Sequence, residues 1–370
     1  MSKKSILFVM DRLSMGGAVR VLIHLVNNIS REEYDVHLAL FSTDGVFQEH
    51  LAEDVTIHDI NSGSVKKGLM KFMQTTYKIK PDLVFCGIGH VSLSIAPFLP
   101  ILKRVLPNTY WVARETAVVS FETKNEKHTN FFNWLYRTFY KNFDLIICQS
   151  NYMQSDLVTH FNVSKDQTTI INNPLDVELV VKRSKDPIDY PFPKSTIRLL
   201  SVGRLSAQKR YDMLLKTMAK LDKKYTLTLV GDGEKEEELR ALVKELGLQE
   251  RVHFALYQGN PYPYMREADF FVLSSRYEGL PNVILEANAC GTPAVVFACP
   301  GTDEVMVEGK NGFTAPCMDS DKLAEKIEEA SSYPFDSEAI NKFISEKYNK
   351  ALILSTYEER LLKLINEQRG

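Results

Sequence analysis

The chain has 370 residues, 44% of them hydrophobic and 25% charged, which is the composition of a folded globular protein and argues against wholesale disorder. At roughly 150 residues per domain, that length fits two domains rather than one core. A formal net charge of -2 gives no electrostatic case for a nucleic-acid partner.

Five cysteines (Cys86, Cys148, Cys290, Cys299, Cys317) stand far apart with no C-x-x-C pair, so neither a zinc site nor a disulfide framework follows. A reducing, cytoplasmic setting is the natural reading. "MSKKSILFVMDRLS" reads as a first buried strand rather than a signal peptide, because Asp11 and Arg12 cut its apolar run. The stretch "SLSIAPFLPIL" is too short for a membrane span.

Short apolar, β-branched runs alternate with helical patterns from the start. "SILFVM" (5–10), "DVHLALF" (35–41), "DLVFCG" (82–87), "TYWVAR" (109–114) and "DLIICQS" (144–150) read as buried parallel strands. Between the first two lies "GGAVRVLIHLVNNI" (16–29), a helix by its apolar spacing. "SKDPIDYPFPKS" (184–195) has three prolines and no period, and reads as a linker. The alternation then restarts with strands at 197–203, 225–231, 251–256, 269–275 and 293–297, and helices at 207–221, 234–246 and 281–290. The pattern predicts two tandem doubly wound α/β domains of Rossmann-like type, followed by one or two amphipathic helices over 345–368.

In open parallel sheets, ligands meet the carboxyl ends of strands and the N-termini of the helices that follow. Four turns are selected by that rule. Gly16 and Gly17, after the first strand, would admit an anionic ligand close to the backbone; the alternative is a tight turn that binds nothing. In "VGRLSAQKRYDMLL" (202–215), Arg204 and Lys209 suit a diphosphate, one as a planar fork and the other as a point charge. The competing reading there is a pair of solvated surface cations.

"RYEGLPNVILEANACGTP" (276–293) has two glutamates eight residues apart, flanking a helix start. Pro281 suits the first turn of that helix, since its missing N–H would be unpaired there. The amides of Leu280, Asn282 and Val283 would then face a phosphate, aided by the helix dipole. Glu278 is placed to accept hydrogen bonds from sugar hydroxyls, and Glu286 from a ribose. At the end of "FALYQG" (254–259), the backbone of Leu256 and Tyr257 is placed to meet a nucleobase edge. "LVGDGEKEEEL" (229–239) lacks the sixth glycine of a G-x-G-x-x-G fingerprint, so a nicotinamide cofactor is poorly supported.

Taken in order, "GGAVR", "NNPLD", "GRLSAQKRYDMLL", "LVGDGEKEEELRALVKELGLQERVHF" and above all "SSRYEGLPNVILEANACGTPAVV" resemble glycosyltransferase family 4 over nearly the whole chain. The resemblance implies the GT-B fold: two Rossmann-like domains with the active site in the cleft between them. Domain limits follow at 1–183 and 197–347, with 184–196 as linker and a final helix near 348–370 packed back on the first domain. It also implies a retaining transfer of a sugar from a nucleotide diphosphate, with the nucleotide-sugar as co-substrate and no metal. Arg204 and Lys209 would bind the diphosphate, Glu286 the ribose and Glu278 the transferred sugar. Gly16 and Gly17 would face the phosphates from the other domain, and Arg114 of "VARET" would meet sugar or acceptor. Val19 departs from the family pattern, where glutamate is common, and carries no assigned role.

UDP-hexoses or UDP-N-acetylhexosamines are the expected donors, and the expected acceptor is a glycan, possibly lipid-linked. The segment 121–143, rich in aromatic and basic residues, would supply peripheral membrane contact; its alternative is a core helix lining the cleft. Phe131, Leu135, Phe139 and Phe143 fall on one helical face, and Lys66, Lys67, Lys71, Lys78 and Lys80 add a basic stretch. Two other classes remain open at this level: a nucleotide-sugar epimerase of the same fold, for which His90, Glu115 and His128 form no convincing acid–base set, and a non-catalytic docking subunit.

Overall fold

The computed structural model describes residues 3–13, 17–43, 51–124, 126–188 and 196–366. The chain divides into two compact units, Met1–Pro174 with Ala351–Gly370, and Leu175–Lys350.

The first unit is built on a seven-stranded sheet: β1 (Lys4–Met10), β2 (Tyr34–Leu40), β3 (Thr56–Asp59), β4 (Leu83–Cys86), β5 (Tyr110–Arg114), β6 (Leu145–Cys148) and β7 (Thr168–Ile170), in the order β3-β2-β1-β4-β5-β6-β7. Among the described residues, its neighbouring strands all pair in parallel. β4 and β6 are buried at every residue, which is why they read as unbroken apolar runs. The edge strands β3 and β7 lack that signature. Each has one neighbour and is partly exposed, so its sequence carries polar residues and escapes a search for buried strands.

The last helix, Lys350–Asn366, belongs to this unit. Ile353, Leu354, Tyr357, Leu361 and Leu364 recur along one stripe and join its core. Each such side chain contributes roughly 1.5–3 kcal/mol by leaving water. The Tyr357 ring lies 6.3 Å from that of Phe85. Glu358 fastens the helix from outside, accepting from the Ser30 amide at 2.6 Å.

The second unit repeats the architecture with six strands: β8 (Ile197–Val202), β9 (Tyr225–Val230), β10 (Val252–Phe254), β11 (Phe270–Leu273), β12 (Ala294–Ala298) and β13 (Gly312–Pro316), in the order β10-β9-β8-β11-β12-β13. The strand β13 had no counterpart in the sequence reading. The unit begins earlier than the proline-rich stretch suggested. Leu175 and Val180 lie in its core, so helix Val177–Arg183 belongs here and not to the first unit. Its two ends are tied together: the Leu175 amide donates to the Tyr348 carbonyl, the Lys350 amide donates to the Leu175 carbonyl, and Lys350 pairs with Asp176 at 2.7 Å. The expected linker therefore runs within this unit, and its residues 189–195 lie outside the described residues. The tail forms two helices, Ser337–Tyr348 and Lys350–Asn366, divided at Asn349 between the two units.

Candidate functional site

In each sheet the strand order reverses once, between β1 and β4 and between β8 and β11. At such a point the loops leaving two adjacent strands diverge to opposite faces and leave a crevice at their carboxyl ends. In the second unit the two loops are 203–210 and 274–281, the stretches that hold the sequence-selected cations and glutamates.

These loops are stitched together. The Arg276 amide donates to the Gln208 carbonyl at 2.9 Å, the Gln208 side chain to the Tyr277 carbonyl at 2.9 Å, and Ser274 Oγ to the Lys209 carbonyl at 2.8 Å. Between them stands one ion pair, Lys209 Nζ to Glu278 Oε1 at 2.7 Å, with side chains 16% and 10% exposed. At the amino ends of the same two strands, Arg198 grips Asp269 through two side-chain nitrogens at 3.1 and 2.9 Å. That distal pair clamps the strands; the Lys209–Glu278 pair lies at the edge where ligands bind.

Glycines bring the loop backbones close. Gly231 has φ +139°, and a Cβ there would overlap the Gly203 carbonyl oxygen. Gly301 has φ +90°, and a Cβ there would overlap the Glu278 carbonyl. The Glu278 amide in turn donates to the Pro300 carbonyl at 2.8 Å, so this carboxylate is positioned through its own main chain.

The helix after Glu278 runs Asn282–Ala289, and Pro281 sits at its N-cap, one residue before the first turn. Of the three amides expected to face a ligand, that of Asn282 donates back to the Leu280 carbonyl at 2.9 Å. Among the described residues no backbone carbonyl accepts from Leu280 or Val283. Glu286 is buried at 8% exposure, as is Glu278. Burial, with the Glu286 charge added, pushes the neighbouring Cys290 thiol up to about 12. Arg204 differs: its side chain is 75% exposed, 3.3 Å from Glu234. Leu256 adopts φ +56°, its carbonyl accepts from the Gly231 amide at 2.8 Å, and both Leu256 and Tyr257 are exposed. The helix after Lys209 begins at Tyr211 rather than 207, because Arg210 turns left-handed at φ +49° and the chain before it forms the loop.

In the first unit the turn glycines divide. Gly16 lies outside the described residues, while Gly17 is the exposed first residue of helix Gly17–Asn28. Val19 is buried in that helix. Arg114 departs from its expected place. It is wholly buried, and its guanidinium donates to Asn173 Oδ1 at 2.6 Å, Tyr357 at 3.3 Å and the Gly87 carbonyl at 3.5 Å. It ties β5 to the last helix and does not reach solvent.

Its neighbour Glu115 lines a cleft of about 180 Å³ with His90, Glu122, Glu126, Phe132 and Tyr136. Burial first, then the Asp156 and Glu122 charges, pushes the Glu115 carboxyl up to about 8, against the pull of Arg114 and the Thr116 amide. Tyr140 donates to Glu115 Oε1. His90 stands 3.4 Å from Asp11, the two side chains following β4 and β1 at the reversal point. Burial raises the Asp11 carboxyl, but bonding to His90 and to the Arg12 amide, with the His90 charge, together outweigh it and hold the group below its ordinary value. The sequence presented His90 and Glu115 as unrelated residues; the sheet order makes them neighbours. His128 does not line this cleft.

The description Glycosyltransferase Family 4 matches residues 15–179, and Glycosyl transferases group 1 matches residues 182–350. A Campylobacter jejuni enzyme, N-acetylgalactosamine-N,N'-diacetylbacillosaminyl-diphospho-undecaprenol 4-alpha-N-acetylgalactosaminyltransferase, is 30% identical over 76% of this chain and 78% of its own. The chain belongs to glycosyltransferase family 4. An uncharacterized glycosyltransferase of Methanocaldococcus jannaschii is 29% identical over 62% of this family 4 chain, an alignment spanning 60% of that relative's length. The crystal structure of Anabaena HepE in complex with UDP superposes with a TM-score of 0.78 at 22% identity, covering 97% of this chain and all of that one. This likeness is one of fold: two parallel α/β domains of the GT-B type.

Proposed function

We propose that this glycosyltransferase moves a hexose or N-acetylhexosamine from a uridine diphosphate donor to a hydroxyl of a lipid-linked surface glycan, with retention of anomeric configuration. The observation that carries the reading is the Lys209–Glu278 pair at the strand-order reversal of the second unit. A buried ammonium beside a buried carboxylate offers a cation to a diphosphate and an acceptor to the hydroxyls of the sugar it carries. The exposed Arg204 fork adds the mobile charge, and Glu286 takes the ribose. The UDP in HepE and the diphospho-undecaprenol acceptor in the name of the C. jejuni relative support the choice of donor and acceptor.

In this mechanism the bond from the anomeric carbon to the phosphate oxygen breaks as the acceptor oxygen attacks the same face. The acceptor proton passes to the departing phosphate. Lys209, Arg204 and the dipole of helix Asn282–Ala289 stabilise the charge that gathers on the diphosphate. Lys209, held by Glu278, and the helix are already in place before reaction, so they contribute without reorganising.

Thermal unfolding with UDP, GDP, ADP and NAD, each repeated in EDTA, tests this. UDP at one hundred times its dissociation constant is expected to add about 2.7 kcal/mol, raising the midpoint by several degrees. The rise should persist in EDTA. A shift with GDP alone would remove the uridine assignment, and no shift with any nucleotide would return the docking-subunit reading to the front.

Membrane contact belongs to the same proposal, in a narrower form than the sequence suggested. Among the apolar residues of 121–143, Phe143 and Tyr140 are buried and Leu135 and Phe139 half-buried, so the expected outward stripe does not form. Phe131 and Trp134 are the large apolar side chains left exposed on helix Thr129–Phe139, at 54% and 50%, stacked with centroids 6.0 Å apart. Exposed Arg137 stands on the same helix. Sedimentation with anionic vesicles is expected to bring the protein down, and Phe131→Ser with Trp134→Ser to leave most of it in solution. Equal sedimentation of both proteins would discard this contact. No described helix is long and apolar enough to cross a membrane.

A further inference from the structure

The cleft of the first unit has a charge character that bears on what it can hold. Its wall carries Glu115, Glu122 and Glu126. Its one basic side chain, His90, is already engaged by the Asp11 carboxylate at 3.4 Å. Lys124 and Lys127, near it in sequence, do not line it, and the Arg114 guanidinium is occupied behind it by Asn173, Tyr357 and Gly87. An anion entering here would meet the Glu122 and Glu126 carboxylates, with no cation among the described lining residues free to answer them.

The remaining surface suits a sugar ring. Phe132 and Tyr136 offer apolar faces, while Glu115 and His90 offer polar atoms. At about 180 Å³ the space is that of one ring rather than of a nucleotide or an extended chain. Gly89 leaves the floor open: a Cβ there would stand 3.0 Å from Glu115 Oε2 and 3.6 Å from the Tyr136 hydroxyl. Any larger side chain at 89 would project into the same volume.

We propose that this cleft receives the acceptor sugar and selects by charge, taking an uncharged or amino-bearing ring and turning away uronates and phosphorylated sugars. The inference rests on the glycosyltransferase reading above for the word acceptor, and on the cleft alone for its selectivity. Hydrogen bonds between the Glu115 carboxyl and ring hydroxyls would orient the sugar, and the exposed Glu122 and Glu126 would repel an anion or attract an ammonium.

The test uses the full-length chain and four methyl glycosides: a hexoside, an N-acetylhexosaminide, a 2-amino-2-deoxyhexoside and a hexuronide. Binding is read by ligand-observed NMR, with UDP binding followed separately by thermal shift. The hexuronide is expected to bind at least about tenfold more weakly than the best of the other three, as like charges facing each other at a recognition surface require. Glu122→Lys with Glu126→Lys, both exposed substitutions, should narrow or invert that ratio. Gly89→Leu should abolish binding of every glycoside while leaving the UDP shift unchanged, with calorimetry showing the transition of the first unit retained. Equal binding of the hexuronide, a ratio unmoved by charge reversal, retained binding in Gly89→Leu, or no glycoside bound at all would each overturn the proposal. If the glycosides discriminate as expected but UDP gives no shift, the donor assignment fails and the cleft's selectivity stands.

Discussion

Lys209→Ala is expected to lower the rate of sugar transfer at saturating donor by about 10²–10³-fold, the range found when one preorganised charge-stabilising donor is removed from an active site. The reason is differential. In the free protein Lys209 is neutralised by Glu278 at 2.7 Å, and both side chains are largely removed from water. When the diphosphate departs, one further negative charge develops on its terminal phosphate, and an ammonium already fixed there stabilises it without moving. Lys209→Arg should not restore the rate, because a planar fork cannot occupy the site of a compact point charge. The substitution also leaves Glu278 buried without its cation, so some loss of stability accompanies it. Lys209→Met with Glu278→Gln separates the two effects by removing both charges. UDP release from a UDP-sugar panel gives the readout. A Lys209→Ala protein within a few-fold of the wild-type rate would reduce the pair to a structural clamp like Arg198–Asp269.

Arg114→Met is expected to act on stability rather than on the chemistry. Arg114 is fully buried, and three acceptors or partners converge on its guanidinium: Asn173, Tyr357 and the Gly87 carbonyl. Methionine fills much of the volume but removes these three hydrogen bonds, at about 1–3 kcal/mol for each buried polar atom left short of a partner, while Asn173 keeps its bond to Gln149. A net loss of about 2–4 kcal/mol corresponds, for a unit of this size, to a midpoint lower by roughly 5–15 °C. Calorimetry should place that loss in the transition of the first unit, with the UDP-dependent rise of the second retained. An unchanged midpoint with lost transfer would return Arg114 to the role the family resemblance implied. Its neighbours Glu115 and Thr116 are the residues of "VARET" that line the cleft.

The contrast between Arg114 and Lys209 shows how much of this protein its sequence carries. Buried parallel strands such as "DLVFCG" and "DLIICQS" announce themselves because both faces of a central strand are covered and every position is apolar. Glu278, Glu286, Arg204 and Lys209 were legible for a related reason: each sits just past such a strand or in the helix after it, and local order is enough to put it at the ligand-binding edge. β3, β7 and β13 were not legible, since a short edge strand is held by one neighbour and need not be uniformly apolar. The proline-rich stretch was read as a boundary, yet Leu175 and Val180 had already entered the second core. Burial in a partner surface built from Tyr348 and its neighbours has no local signature.

By itself, then, the sequence determined the two α/β units, the position of the candidate turns past their strands and the family to which the chain belongs. Strand order decided the rest. It joined Lys209 to Glu278 across 69 positions and His90 to Asp11 across the first sheet, each pair meeting where two adjacent strands send their loops apart. It also turned Arg114 inward while opening Glu115 to a cleft. Adjacent residues at a strand end point to opposite sides, and only the packing of the last helix settles which side is the interior.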